Sequence, residues 1–145
     1  MRWITREHPH VDRVACPWLI QRFVDPAAEF IYAATPNVVA EAKRLGATVF
    51  DTDGAELGHH GDECSFDAVV HKHNLDNDPA LALMARIVRG ADTARPQLTP
   101  ESAGLHAILE GLRTQFYPND QAQREAAAPV FEALYRFCQG QAAGE

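Results

Sequence analysis

The first fifty residues alternate between short runs of β-branched or aromatic side chains and longer stretches whose apolar residues share one helical side. Trp3-Ile4-Thr5, Phe30-Ile31-Tyr32 and Thr48-Val49-Phe50 have the makeup of short strands. Between the first two, the stretch from Asp12 to Val24 carries Trp18, Leu19 and Phe23 on one side, and Asp25-Pro26 closes it. Between the last two, Pro36 to Leu45 is predicted to be helical, with Gly46 as its C-terminal stop. The order β-α-β-α-β predicts an α/β fold with a small three-stranded, mostly parallel sheet and right-handed crossovers.

The pattern changes at residue 51. Asp51-Thr52-Asp53-Gly54 and Gly58-His59-His60-Gly61-Asp62 are glycine-rich and polar, so this segment is expected to be a loop. Beyond it the chain reads as helical to the end. Ser65 is the expected cap of a helix with Phe66, Val69 and Val70 inward, and Asp78-Pro79 opens another with Met84, Ile87, Val88 and Ala91 facing the core. Thr99-Pro100 starts a third, with Leu105, Ile108, Leu109, Leu112 and Phe116 as its stripe. Asp120 starts a fourth, carrying Val130, Phe131, Leu134 and Phe137, which Pro129 is expected to kink or split. From Gln139 the chain is small and polar and is expected to fray, giving one domain over residues 1–140 and a disordered tail at 141–145.

Composition narrows the class. With 145 residues, 46% apolar and 23% charged, the chain matches one ordinary globular domain. No apolar run approaches the roughly 18–20 residues that span a bilayer. Met1 to Glu7 lacks the apolar core of a signal peptide, so the cytoplasm is the expected address. A net charge of −7, with thirteen scattered Lys and Arg, argues against nucleic acid as a partner. Cys16, Cys64 and Cys138 are odd in number and lack CxxC spacing, which excludes a fully paired disulfide framework and a cysteine-only zinc site.

The densest set of donor side chains runs from Glu56 to Asp67, with four carboxylates, two imidazoles and one thiol. A transition metal needs three or four such donors converging, and imidazole with carboxylate suits Zn, Fe, Mn or Ni. Adjacent His59 and His60 point opposite ways in regular structure, so one of the pair is expected to face the site, with Gly58 and Gly61 permitting a looped path. The plainer alternative is a solvated loop whose histidines cap helices or meet water. Asp92 lies on the flank of its helix's apolar stripe, where a carboxylate leaning inward costs several kcal/mol unless paired or metal-bound. His71 stands four residues after Asp67 on the same helix face, an arrangement more usual for a surface pair than for a shared metal.

A second constellation, Asp12-Arg13-Val14-Ala15-Cys16-Pro17-Trp18, follows the first strand. A helix N-terminus at the carboxyl edge of a sheet attracts anions, and Arg13 would add a charged fork beside Cys16 and Trp18. Cys16 there would have a lowered thiol pKa if exposed. Against this, Pro17 restricts where the helix begins, and Arg13 could instead pair with Asp12 or Asp25 over a buried Cys16. There is no Gly-rich phosphate loop and no GxSxG elbow.

Three ordered blocks, Asp12 to Phe23, Glu56 to Asp67 and Ile87-Val88-Arg89-Gly90-Ala91-Asp92, resemble the C-terminal domain of the chromate-resistance ChrB family over essentially the whole chain. The resemblance implies an association with chromate-resistance operons, as a regulator or accessory factor rather than the membrane exporter. Arg13, Cys16, Trp18, His59, Cys64, Phe66, Asp67 and Asp92 stand in the family's recurring blocks. The family has Arg where this chain has His60 and Glu where it has Asp67, which weakens His60 as a ligand and leaves a carboxylate at 67. Larger members carry an amino-terminal region not represented in this sequence, so direct DNA contact is not expected.

These observations together predict a metal- or oxyanion-binding accessory or sensor domain. The metal would rest on His59, Asp92 and one of Glu63 or Asp67, with His60 and Cys64 as lesser candidates. Arg13, beside Cys16 and Trp18, would anchor a small oxyanion or other small molecule. No membrane partner is expected, and a homo-oligomer is left open. One rival is a metal-dependent enzyme, hydrolytic or lyase-like, or a thiol reductase using Cys16 or Cys64. Another is an interaction module without an ion, its loop histidines splayed into solvent. Coordination discriminates: a closed shell suits structure or sensing, an open shell in a cleft suits catalysis.

Overall fold

A computed structural model describes residues 1–144. In chain order the elements are β1 (Arg2–Arg6), α1 (Asp12–Phe23), β2 (Glu29–Ala33), α2 (Val38–Leu45), β3 (Thr48–Val49), α3 (Ser65–Lys72), α4 (Pro79–Asp92), α5 (Ser102–Phe116) and α6 (Asp120–Ala142). The strands form a wholly parallel sheet in the order β2-β1-β3, with Trp3 opposite Phe30 on one side and Thr48 on the other. This is the expected α/β architecture with a helical C-terminal half.

Strand alternation decides what each face of the sheet covers. Ile4 packs with Val38 and Ala42 of α2 in a small cluster, whereas Trp3 joins the main core of α1, α3, α4, α5 and α6. α1 is buried continuously from Asp12 to Ile20 and so is a central helix rather than a surface one. Pro17 sits inside it instead of delaying its start, which falls at Asp12. Gly46 ends α2 in the left-handed conformation, as the sequence predicts.

Several helix boundaries depart from expectation for local reasons. Cys64, not Ser65, is the cap of α3, because the Asp67 carboxylate accepts from the Cys64 N–H at 3.0 Å. The Ser65 hydroxyl is thereby free to donate to Asp51 at 2.6 Å. α5 begins at Ser102, since Thr99 Oγ1 takes the Ser102 N–H and a 3-10 turn over Pro96–Leu98 precedes it. α6 runs unsplit through Pro129 and continues to Ala142, past the Gln139 position where fraying is expected. Ile108 and Phe137, expected inward, are 53% and 43% exposed. Their helices bury narrower stripes, centred on Leu105 and Leu109 in α5 and on Phe131, Tyr135 and Cys138 in α6.

α4 is the strut of the helical half. Asp78 caps its first turn, accepting from Ala80 at 2.9 Å, and also accepts the Tyr135 hydroxyl of α6 at 2.7 Å. At its other end α5 grips the last turn: the Ser102 hydroxyl donates to the Ile87 carbonyl at 3.0 Å, and His106 meets the Ala91 carbonyl at 3.2 Å. Gly90 permits this closeness. A Cβ there would collide with the Ser102 side chain and lie 3.0 Å from the Arg95 carbonyl. No described helix is long and apolar enough to cross a membrane, and all three cysteines are free and buried.

Gly90→Ala should therefore destabilise the protein by about 1–3 kcal/mol, the usual cost of overpacking, despite alanine's better helix propensity. Urea unfolding of both proteins checks this. An unchanged or raised midpoint would show that α5 is not seated on α4 as closely as described.

Candidate metal centre

Four segments end at one edge of the sheet. β1 leads into the loop before Asp12, β3 passes into Asp51, the glycine-rich loop brings His59 back, and α4 finishes at Asp92. The loop is fastened by backbone bonds between His60 and Glu63, a tight turn that Gly61 makes with a left-handed φ of 61°. Gly58 lies against the Thr52 and Ala55 carbonyls, and a Cβ there would sit tightly at 3.0 and 3.1 Å from their oxygens.

The result is one imidazole facing three carboxylates. His59 Nε2 lies 2.9 Å from Asp92 Oδ2, 3.4 Å from Asp12 Oδ2 and 3.5 Å from Asp51 Oδ1. Asp12 is fully buried and accepts the first N–H groups of α3, from Ser65 at 2.7 Å and Phe66 at 3.4 Å. Its own N–H donates to Asp92 Oδ1 at 3.2 Å. Asp51 adopts a positive φ of 48°, tolerated by aspartate, and is held by the Ser65 hydroxyl and by Arg6 and Arg13 at 3.3 and 3.4 Å. One ligand atom each from Asp12, His59 and Asp92 lie within 4.8 Å of one another, the spacing of donors to a single ion.

The electrostatics follow from this crowding. Burial, then the neighbouring Asp92 charge, pushes the Asp12 carboxyl up to about 8. Asp92 is raised for the same reasons, with Asp51 as its repelling neighbour. Asp51 runs the other way, held below the usual carboxylate range by the His59 and Ser65 hydrogen bonds and the two guanidiniums, which outweigh its burial. Hydrogen bonds to Asp12 and Asp51 lift His59 to about 10. These groups titrate as a unit. Three carboxylates face two guanidiniums, so charge balance needs one proton, shared between His59 and the raised Asp12 carboxyl, or a cation in its place.

The structure brings two of the sequence-predicted ligands, His59 and Asp92, together, and places the others elsewhere. Asp67 is engaged by Arg89 in a bidentate pair at 2.7 and 3.0 Å, in addition to its role in capping α3. Glu63 is half-buried and faces His71 at 3.2 Å, and His71 pairs with Asp76 and Glu63 instead of Asp67. His60 points to the Glu56 carbonyl at 2.7 Å. Cys64 is buried against Asp67, its thiol pushed well up by burial. The proposed anion anchors are also committed. Arg13 is turned inward, donating to the Glu7 carbonyl at 2.9 Å and pairing with Asp51, not with Asp12 or Asp25. Cys16 is wholly buried, so its thiol is raised, not lowered. Trp18 is buried and donates to Glu132 of α6 at 3.2 Å. Asp12 and Asp51 are the members that sequence reasoning missed as ligands or supports.

His59 remains 46% exposed, on the rim of a small cavity of about 110 Å³ shared with Arg6, Thr52, Asp53 and Gly54. The cluster is thus closed from below by protein and open toward solvent beside the imidazole. Such a hard, oxygen-rich set with one nitrogen suits Mn, Fe, Zn or Ni, and leaves positions for exogenous ligands.

Residues 3–138 match the family model described as ChrB, C-terminal domain. The chain is 37% identical over 134 residues to Protein ChrB of Cupriavidus metallidurans, covering 92% of this chain and 40% of that protein. The chain therefore spans less than half the length of this relative. No solved structure matches it.

In the metal-free protein the raised His59 pKa fixes the direction of pH dependence. Its contribution to stability is fully present below the unfolded value of 6.5 and is lost as pH rises through about 10. NMR titration of the imidazole should find it still protonated at about pH 8. A midpoint near that of a free histidine would mean that the carboxylates do not surround it.

Proposed function

The chain belongs to the ChrB C-terminal domain family, and from that premise we propose that it serves chromate resistance as a domain holding a divalent metal ion between Asp12, His59 and Asp92. One observation carries this reading: donors from three separate segments, two of them largely buried, converge on a single point. Burying carboxylates side by side costs several kcal/mol unless a cation compensates them. A metal would displace the proton from His59, and affinity would accordingly rise with pH.

A divalent ion in place of that proton overcompensates the cluster by one positive charge. An anionic ligand would then be drawn to the open side, beside His59 and Arg6. This supports an accessory or sensor role in which a small oxyanion meets the metal rather than Arg13. Asp51 would act as a support, orienting His59 without ligating the ion, in the manner of outer-shell carboxylates.

A second reading, metal-dependent catalysis, is favoured by the same open side: a metal with free positions beside a cavity can activate water or polarise a substrate. A metal that exchanges no bound water would argue for sensing, one with labile water for catalysis.

The decisive experiment is metal analysis and calorimetric titration of protein purified without a polyhistidine tag. Wild type should bind about one equivalent of Mn2+, Fe2+, Ni2+ or Zn2+, and His59→Ala or Asp92→Asn should weaken binding by at least about tenfold, as loss of a ligand does. Glu63→Gln should leave affinity unchanged. A wild type that binds none of these ions at about 100 µM, an affinity limit near −5.5 kcal/mol, sinks the proposal.

A further inference from the structure

The loop that carries His59 has few attachments of its own. Residues 59–62 are all exposed, and the turn between His60 and Glu63, with Gly61 in the left-handed region, closes on itself. Among the described residues, two polar contacts fasten the tip, Gly58 to Asp62, to the chain outside residues 50–64. One is the His59 imidazole itself, facing Asp12 and Asp92. The other is Arg95, whose Nη2 donates to the Asp62 carbonyl at 2.6 Å.

Arg95 is rooted in the turn that follows Asp92. As α4 ends, the Thr93 N–H donates to the Arg89 carbonyl at 3.0 Å and Ala94 takes a left-handed φ of 56°. That conformation is unfavourable for alanine, and it turns the chain back so that the Arg95 N–H donates to the Gly90 carbonyl at 3.0 Å. Arg95 Nε donates to the Thr93 hydroxyl at 2.9 Å, and that hydroxyl donates to the Arg89 carbonyl at 2.6 Å. Past Pro96, Arg86 of α4 holds the Leu98 carbonyl at 3.2 Å. The backbone of Arg95 is thus fixed on both sides, and one donor of its planar fork is engaged while another reaches the loop.

We propose that Arg95 is a positioning residue of the candidate metal centre, holding the His59 loop to the end of α4 so that the imidazole meets Asp92. It touches neither residue. It stands three positions after Asp92 and grips the carbonyl three positions after His59, so it joins the two segments that supply the pair. Because the acceptor is main chain, the Asp62 side chain has no part in the grip. A lysine, with a single point charge, could not serve Thr93 and Asp62 in the same way. An ion that finds His59 already placed need not order an exposed loop on binding, which favours affinity. The consequence for the ion rests on the metal reading above, whereas the placing of His59 does not.

Arg95→Ala tests both parts. In the metal-free protein, amide hydrogen exchange at His60 and Glu63 should accelerate about threefold to tenfold, the worth of one hydrogen bond. The imidazole 15N and 1H shifts of His59 should move toward those of an unstructured histidine. Exchange at Val88 in α4 and the thermal midpoint should stay near wild type, since the backbone bond to Gly90 survives the substitution. Calorimetric titration with Mn2+ should show affinity lowered about threefold to tenfold. Asp62→Ala should match wild type in every one of these measurements. Loop exchange and His59 shifts left unchanged in Arg95→Ala overturn the proposal, as does Mn2+ affinity equal to wild type. A wild type that binds no Mn2+ counts against the metal centre, and the exchange and shift measurements then decide the role of Arg95 alone.

Discussion

The carboxylate of Asp12 has no contact with water, yet it stands next to Asp51 and Asp92. Placing it there is the constraint that the rest of the structure answers. Two backbone N–H groups at the start of α3 and the dipole behind them supply part of the compensation. His59 supplies the rest, and Arg6 and Arg13 neutralise Asp51 so that it does not add to the repulsion. Remove any of these and the repulsion among the buried carboxylates rises, so that one of them must take up a proton or the cluster must open. An arrangement of this kind costs the fold stability, a cost that the proposed cation would offset.

The parallel sheet makes the convergence possible. In a βαβαβ unit every crossover starts from the same edge, so residues just after β1 and β3 arrive together although nearly forty positions separate Asp12 from Asp51. The helical half then adds Asp92 at the end of α4. α4 is fixed at its start by the Asp78 cap and Tyr135, and at its end by Ser102 and His106 of α5. The last residue of the helix therefore has little freedom, and its carboxylate can bridge the Asp12 N–H and His59.

This division explains what the sequence revealed. Strand composition, the Gly46 stop and the Asp78-Pro79 start are local signals, and the corresponding elements are present. His59 and Asp92 stood out because each is awkward where it lies: an imidazole between glycines, a carboxylate beside an apolar stripe. Asp12 gave no such signal, being an ordinary acidic residue in the first turn of a helix. Yet the rule that drew attention to Arg13, a helix beginning at the carboxyl edge of a sheet, applies equally to its neighbour. Asp67 is the opposite case. Its three-residue separation from Cys64 is a capping pattern visible in the sequence, but a dense acidic segment invites a metal-ligand interpretation first. Arg89, which engages Asp67, lies a helix away and could be matched to it only in three dimensions.

The same long-range logic joins the ion site to the outer face of α5. Ser102 and His106 hold the turn of α4 that ends in Asp92, and Ile108 lies about half a turn beyond His106 on the outer side of the same helix. The seating of α5 therefore bears directly on where Asp92 sits. The absence of a Cβ at Gly90 makes that contact close, so a change in how α5 packs on α4 would be felt at the end of the helix.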